Sequence, residues 1–244
     1  MEASITRNKK SITGEIIVKL VYSGKTKDVY ELDEERVLLR FKDDATGENG
    51  KFDPGANTVG LTIPGAGKAG LRLTTYFFNL LNQAGIATHF IASNIDLVTM
   101  TAKKATPFGK GLEVICRYKA VGSFLRRYGK YIKPEAPLPA FVEITLKDDD
   151  RNDPPITEDA LEILGILAKG EYLILKQLTQ KISEIIRKDL LRKGLELYDI
   201  KLEFGRVGKD HQIVLIDEIS GGNMRVFHNG HALEPLEIEK RLLN

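Results

Sequence analysis

Acidic and basic side chains fall at alternate positions in Asp199-Ile200-Lys201-Leu202-Glu203, and the apolar Ile200, Leu202 and Phe204 fill the positions between and after them. An extended strand has period two, so the charged set leaves one face and the apolar set the other. Residues 213–216 read as a second strand that ends in Asp217-Glu218. A hairpin would carry Asp217 to the charged face of the first strand. Carboxylates at such a strand end suit a hard divalent cation, and Mg²⁺ usually takes one or two carboxylates together with phosphate oxygens. The alternative is a solvated strand face whose charges pair across it.

Further candidates lie upstream. In Ser23-Gly24-Lys25-Thr26-Lys27 a glycine turn carries alternating lysines between two strands. Such a hairpin can fold over a polyphosphate, with Gly giving close backbone approach and Lys giving charge. It is not the helix-linked phosphate loop, because no helix follows. Residues 65–70, GAGKAG, spell GxGxxG before a helix, but Pro64 and the strands upstream do not make a βαβ unit. Anion binding at that helix's N-terminus is still physically cheap. Arg117, Lys119, Arg126 and Arg127 surround Gly122-Ser123, either as a phosphate or carboxylate clamp or as a basic surface. Arg225 follows Ser220-Gly221-Gly222, which reads as a flexible loop suited to a residue that must reach a ligand. His89, His211, His228 and His231 lack metal spacing, and Cys116 reads as core.

The elements that must position these residues can be read coarsely. Residues 1–13 are polar and expected to be loose. Residues 15–22, 28–32 and 36–41 predict an antiparallel meander. The polar, glycine-rich stretch 43–70 reads as a long functional loop. A helix follows over 71–83, stopped by Gly85, then strands at 86–91 and 97–103. Gly109 and Gly111 mark a boundary between lobes. Strands are predicted at 112–117 and 140–146, with Pro134, Pro137 and Pro139 making an extended surface connection before the latter. Thr157 caps a helix starting at Glu158, and a second helix spans 171–193, with Leu178, Ile182, Ile185, Ile186 and Leu190 on one face. Strands at 196–204 and 212–216 close the core. Residues 123–128 are too short to assign.

At 244 residues the chain can bury roughly three-quarters of its unfolded surface. Its 42% hydrophobic and 29% charged residues exclude wholesale disorder. A net charge of +2 argues against a dedicated nucleic-acid binder. The lone cysteine excludes an internal disulfide and a thiolate metal cluster. No apolar run is long enough to span a membrane and the start lacks a secretory pattern, so a cytoplasmic protein is expected.

The arrangement resembles the phosphoribosylaminoimidazole-succinocarboxamide synthase (SAICAR synthetase) family over residues 22–227. YSGKTKDVY resembles that family's YxGKxKxxY, and FKDDATGENG its acidic Gly-rich segment. LEVICRYKAVGSFLRRYG resembles ExxxRxxxxGSxxRR, and KDDDRNDP resembles KxDxxxDP. DIKLEFG matches DxKxEFG, and DEISGGNMRVF resembles DExSPDxxRxW. The order of these segments makes the resemblance specific.

The resemblance implies an α+β fold of two lobes. The first, 1–108, would be an antiparallel, kinase- or ATP-grasp-like sheet lobe. The second, 109–244, would be an α+β lobe, with ATP in the cleft between them. It implies an ATP- and Mg²⁺-dependent ligase of purine biosynthesis that joins L-aspartate to carboxyaminoimidazole ribonucleotide (CAIR). It also implies residue roles. Lys25 and Lys27 would hold ATP phosphates and Lys104 would lie at the adenine side. Glu203 and Asp217 would ligate Mg²⁺, and Glu113 would face the metal and the imidazole carboxylate. Arg117, Ser123 and Arg225 would bind the ribonucleotide, and Asp199 and Lys201 would line the reacting centre. Partners would be the small-molecule substrates alone, with no nucleic acid or membrane, and the assembly could be a homodimer. Gly221-Gly222 stands where the family has Pro-Asp, and Phe227 where it has Trp. A paralogue acting on another carboxylate and a non-catalytic nucleotide-binding module are the alternatives.

Overall fold

The computed structural model describes residues 9–13, 16–48 and 50–244, with side chains from Lys19 onward within those ranges. Strands β1 (Lys9–Thr13), β2 (Ile16–Ser23), β3 (Lys27–Glu31) and β4 (Arg36–Phe41) form the expected meander, extended by one strand. Of the start expected to be loose, residues 1–8 lie outside the described residues, as does Glu15 of the predicted second strand. Residues 9–13 instead form β1, an edge strand.

The stretch expected to be one long loop contains a small sheet of β5 (Asp44–Glu48), β6 (Lys51–Phe52) and β7 (Val59–Thr62). Helix α1 (Ala66–Gln83) starts five residues earlier than predicted, because Gly65 enters it at φ 88°. Strands β8 (Phe90–Asn94) and β9 (Thr99–Lys103) complete a first sheet ordered β1-β2-β3-β4-β9-β8. Residues 86–89, predicted as strand, belong elsewhere: Leu215 N–H donates to Ala87 O and His89 N–H to Leu215 O.

The second sheet is built around one long strand. It comprises β10 (Ala105–Pro107), β11 (Leu112–Lys119), β12 (Pro137–Leu146), β13 (Glu196–Val207), β14 (Gln212–Ile216), β15 (Met224–His228) and β16 (His231–Ala232). Its order is β12-β11-β13-β15-β16, while β10 and β14 flank the far end of β13. Pro137 opens β12 rather than staying in a connection, which an edge strand tolerates. The helices here are α2 (Gly122–Tyr128), α3 (Glu158–Ile163), α4 (Glu171–Leu191) and α5 (Pro235–Leu243). Thr157 caps α3 as predicted, its hydroxyl accepting from Ala160 N–H. Ile182, Ile186 and Leu190 of α4 are fully buried in one cluster with Ile200, Leu202 and Phe204 of β13. The apolar face of β13 is thereby covered, and its charged face is left for chemistry.

Candidate active site

Cross-strand register assembles the charged face. On β11 and β13, Glu113 stands opposite Glu203, Ile115 opposite Lys201 and Arg117 opposite Asp199. On the other side, Asp199 stands opposite Arg225 of β15. Two glutamates facing each other would repel. Lysines offset this: Lys201 Nζ lies 2.6 Å from Glu113 Oε1, and Lys147 Nζ 2.6 Å from Glu203 Oε1. Thr145 also donates to Glu113 at 3.1 Å.

Asp217 reaches this face by a local backbone device. Ile216 pairs directly with Glu203, so in a continuing strand the next side chain would leave the opposite face. Asp217 instead adopts φ 66°, a left-handed conformation that Asp tolerates better than most residues. Its carboxylate therefore turns into the cavity that Glu203 also lines. Burial first, and the Asp217 charge second, push the Glu203 carboxyl up. Burial would raise Asp217 as well, but the Lys27 and Lys147 ammonium groups outweigh it and hold Asp217 below the usual carboxylate value. Lys27 sits 3.1 Å from Asp217 and also pairs with Glu218. Burial opposes its charge, yet those two carboxylates raise its pKa above the ordinary lysine value.

The cleft has two chambers that share a wall. One is lined by Lys25, Lys27, Lys147, Glu203 and Asp217. The other, of about 450 Å³, is lined by Arg117, Ser123, Arg126, Arg127, Asp199 and Arg225. Glu113 and Lys201 line both. Ten of the eleven residues singled out from sequence thus converge on one cleft, while Lys104 stands apart, exposed and 2.8 Å from Glu31.

Two expectations about the arginines need correction. Arg117 is not part of a basic surface: its side chain is 2% exposed and held by Glu143, Asp199 and Ser123. Nor is Ser220-Gly221-Gly222 a flexible loop. Asn223 caps it, accepting from Ser220 N–H at 2.9 Å and donating to Glu218 O at 2.6 Å. A Cβ on Gly221 would lie 2.6 Å from Pro235, so the glycine lets the start of α5 pack there. GAGKAG likewise serves packing: a Cβ on Gly67 would meet the Lys42 backbone at 2.8 Å, and Gly67 N–H donates to Asp43.

Sequence reasoning missed Asp53, Glu143, Lys147 and Asp149. Asp53 lies 2.6 Å from Arg225, and Asp149 lies 2.6 Å from Lys25. Lys147 and Asp149 fall inside the KDDDRNDP segment, which was the available signal. Nothing local marks Asp53 or Glu143.

Comparison with known proteins places the chain among relatives. A family model described as SAICAR synthetase matches residues 20–242. A phosphoribosylaminoimidazole-succinocarboxamide synthase of Clostridium tetani is 62% identical over 226 residues, covering 93% of this chain and 100% of that one. Its counterpart from Finegoldia magna is 39% identical over 208 residues, covering 85% and 84%. Among solved structures, a SAICAR synthetase in complex with ADP superposes with a TM-score of 0.78 at 30% identity, covering 91% of this chain and 95% of that one. The synthase from Ehrlichia chaffeensis gives 0.80 at 27% identity over the same shares. With the family model spanning nearly the whole chain and the matched segments lining one cleft, the chain belongs to the SAICAR synthetase family.

Proposed function

We propose that this chain joins L-aspartate to CAIR in purine biosynthesis, consuming ATP and releasing SAICAR, ADP and phosphate. The observation that carries the reading is the shared wall: Glu113 and Lys201 line both the lysine-rich and the arginine-rich chamber. A nucleotide in one and a phosphorylated substrate in the other would meet there. A lobe division at 108/109 is part of the same reading, with Lys25 and Lys27 from the first lobe facing Glu203 and Asp217 from the second.

The chemistry asks mainly for charge placement. A carboxylate is a poor electrophile. Transfer of the γ-phosphoryl group to an oxygen of the imidazole carboxylate breaks the β–γ bond, releases ADP and leaves an acyl phosphate. The aspartate amine then attacks the acyl carbon. The C–N bond forms, the acyl C–O bond breaks, phosphate leaves and the amine loses a proton. Positioning and electrostatic stabilisation do most of such work. Lys25 and Lys27 are the cations that would meet the triphosphate. Lys201, whose pKa the Glu113 and Glu203 charges raise against the effect of burial, would hold the imidazole carboxylate. Arg225 and Ser123 would meet the ribonucleotide phosphate, and Lys104 would approach the adenine.

The acidic pair fits Mg²⁺ by its donors. Glu203 and Asp217 offer hard carboxylate oxygens in a half-buried place where desolvation, and after it their mutual repulsion, already raises one of them. Among the described residues no cluster of three or more metal-type ligands occurs. Two carboxylates suit an ion which keeps waters and phosphate oxygens in its shell. When bound, such an ion neutralises charge on the transferring phosphoryl group. The test is a coupled ADP-release assay with each substrate omitted in turn. ADP release is expected only when ATP, CAIR and L-aspartate are all present; turnover independent of CAIR or of aspartate would refute the assignment.

A further inference from the structure

Six side chains alternate in sign in one chain of ion pairs, four of which (Arg127, Arg117, Asp199 and Arg225) line the arginine chamber. Arg127 pairs with Glu143, Glu143 with Arg117, Arg117 with Asp199, Asp199 with Arg225, and Arg225 with Asp53. The inner members are buried: the Asp199 side chain is 4% exposed and Arg117 2%. Asp53 ends the chain and is 40% exposed. A dianionic phosphate entering this chamber finds Arg117, Arg127 and Arg225 each engaged by a carboxylate, whereas the exposed Arg126 makes no ion pair among the described residues. Arg117 has already committed most of its five N–H donors. Only the outermost partner can be given up without stranding a buried charge.

Asp53 also begins a turn that touches both chambers. Gly55 N–H donates to its Oδ1 at 2.8 Å, and the Pro54, Ala56 and Asn57 that follow line both cavities. A Cβ on Gly55 would collide with the Arg225 guanidinium, so the turn sits directly on that arginine.

We propose that Asp53 is a positioning residue that holds Arg225 by mimicking the substrate phosphate, and that the ribonucleotide phosphate takes Arg225 by displacing it. The exchange couples filling of the arginine chamber to the 53–57 turn over the nucleotide chamber. The inference rests on the proposed placement of the ribonucleotide phosphate at Arg225.

Calorimetric titration of the full chain with ribose 5-phosphate and with inorganic phosphate tests it, comparing wild type, Asp53→Asn, Asp53→Glu and Arg225→Ala. The amide of Asp53→Asn can still accept from Gly55 N–H but no longer competes as an anion. Its phosphate affinity should rise about two- to fivefold, the measured range for a partly exposed ion pair. Asp53→Glu, which restores the anion, should return toward wild type. A merely structural Asp53 would give weaker or unchanged binding on amidation, which overturns the proposal and leaves the placement of the phosphate standing. Phosphate binding unaffected by Arg225→Ala overturns both. Thermal melts accompany each variant. If Asp53→Asn melts early, the affinity of Asp53→Glu decides: wild-type-like binding supports a competing anion, and weakened binding refutes it.

Discussion

Arg117 and Arg225 look alike in sequence and do different work in the fold. Arg117 is buried between Glu143 and Asp199, and its guanidinium also donates to Ser123 at 2.8 Å. Its main effect is to fix carboxylates and the Ser123 hydroxyl. Replacing it by Met removes the central cation of the chain and leaves the buried Glu143 with Arg127 alone and Asp199 with Arg225 alone, a loss of up to about 3–5 kcal/mol. Arg117→Met should therefore lower the melting temperature steeply, whereas Arg225→Ala should chiefly raise the KM for CAIR; equal melting temperatures for the two would remove the distinction. At the acidic pair, Glu203→Gln should preserve the melt, because burial already disfavours its charge, whereas Asp217→Asn should lower it modestly by removing one carboxylate from Lys27. Each should cut Mg²⁺-dependent kcat by more than the roughly 10–100-fold that loss of a ligand's supporting partner costs. An unchanged kcat would remove that residue from the proposed metal site. The alternation of Asp199, Lys201 and Glu203 made this face legible from sequence, because period two is a property of any strand. Asp53 and Glu143 were not legible: each acquires its role from partners at least 16 positions away, and no local pattern encodes those partners.

Helices and the meander were readable because their periodicities are local, and Thr157 was readable because capping is chemistry within one turn. The sheet β5–β6–β7 was not, since its strands are two to five residues long and its glycines resemble loop punctuation. Those glycines serve packing: a Cβ on Gly60 would collide with the Gly47 backbone across the β5–β7 pair. Helix α1 offers a paired test of this distinction. Ala is favoured over Gly inside a helix by about 1 kcal/mol. At Gly67 the added methyl would meet backbone at 2.8 Å, and such overpacking costs about 1–3 kcal/mol. At Gly70 the nearest atom would be 3.5 Å away, an ordinary contact. Gly67→Ala should lower the melting temperature and Gly70→Ala should hold or raise it; the same sign for both would refute the packing account. A second element-level test concerns residues 86–89 beside β14. Burial pushes His89 down to about 4 from 6.5, against the opposing pull of Asp217. With a depressed folded pKa, its stabilising contribution is full above about 6.5 and is lost as pH falls toward 4. That displacement amounts to on the order of 3 kcal/mol. Melting temperature followed from pH 7 to 4 should fall less steeply in His89→Gln than in wild type, and parallel curves would exclude the histidine.

One hydrophobic cluster runs from Leu39 on β4 through α1 to Leu242 on α5, so the sheets are not separately cored bodies. Ionic contacts also cross from the first sheet to the second, and Lys27 is the most buried of them. Its ammonium faces Asp217 and Glu218, while its side chain is only 8% exposed and its Nζ lies 5.4 Å from the Phe41 ring centroid. Lys27→Met would keep most of the packing volume and strand the two carboxylates, costing about 3–5 kcal/mol at neutral pH. The pH dependence separates charge from packing. In the wild type the Asp217 pKa is held low against burial, so its contribution is present above the ordinary carboxylate value and is lost as pH falls. Without Lys27 the burial effect is less opposed and the folded pKa rises. The folded variant then binds more protons than before and gains stability relative to wild type on acidification. The melting-temperature gap between wild type and Lys27→Met should therefore be wide at pH 7.5 and narrow by pH 4.5. A gap that stays constant would mean that Lys27 joins the two sheets by packing on Phe41 and not by its charge.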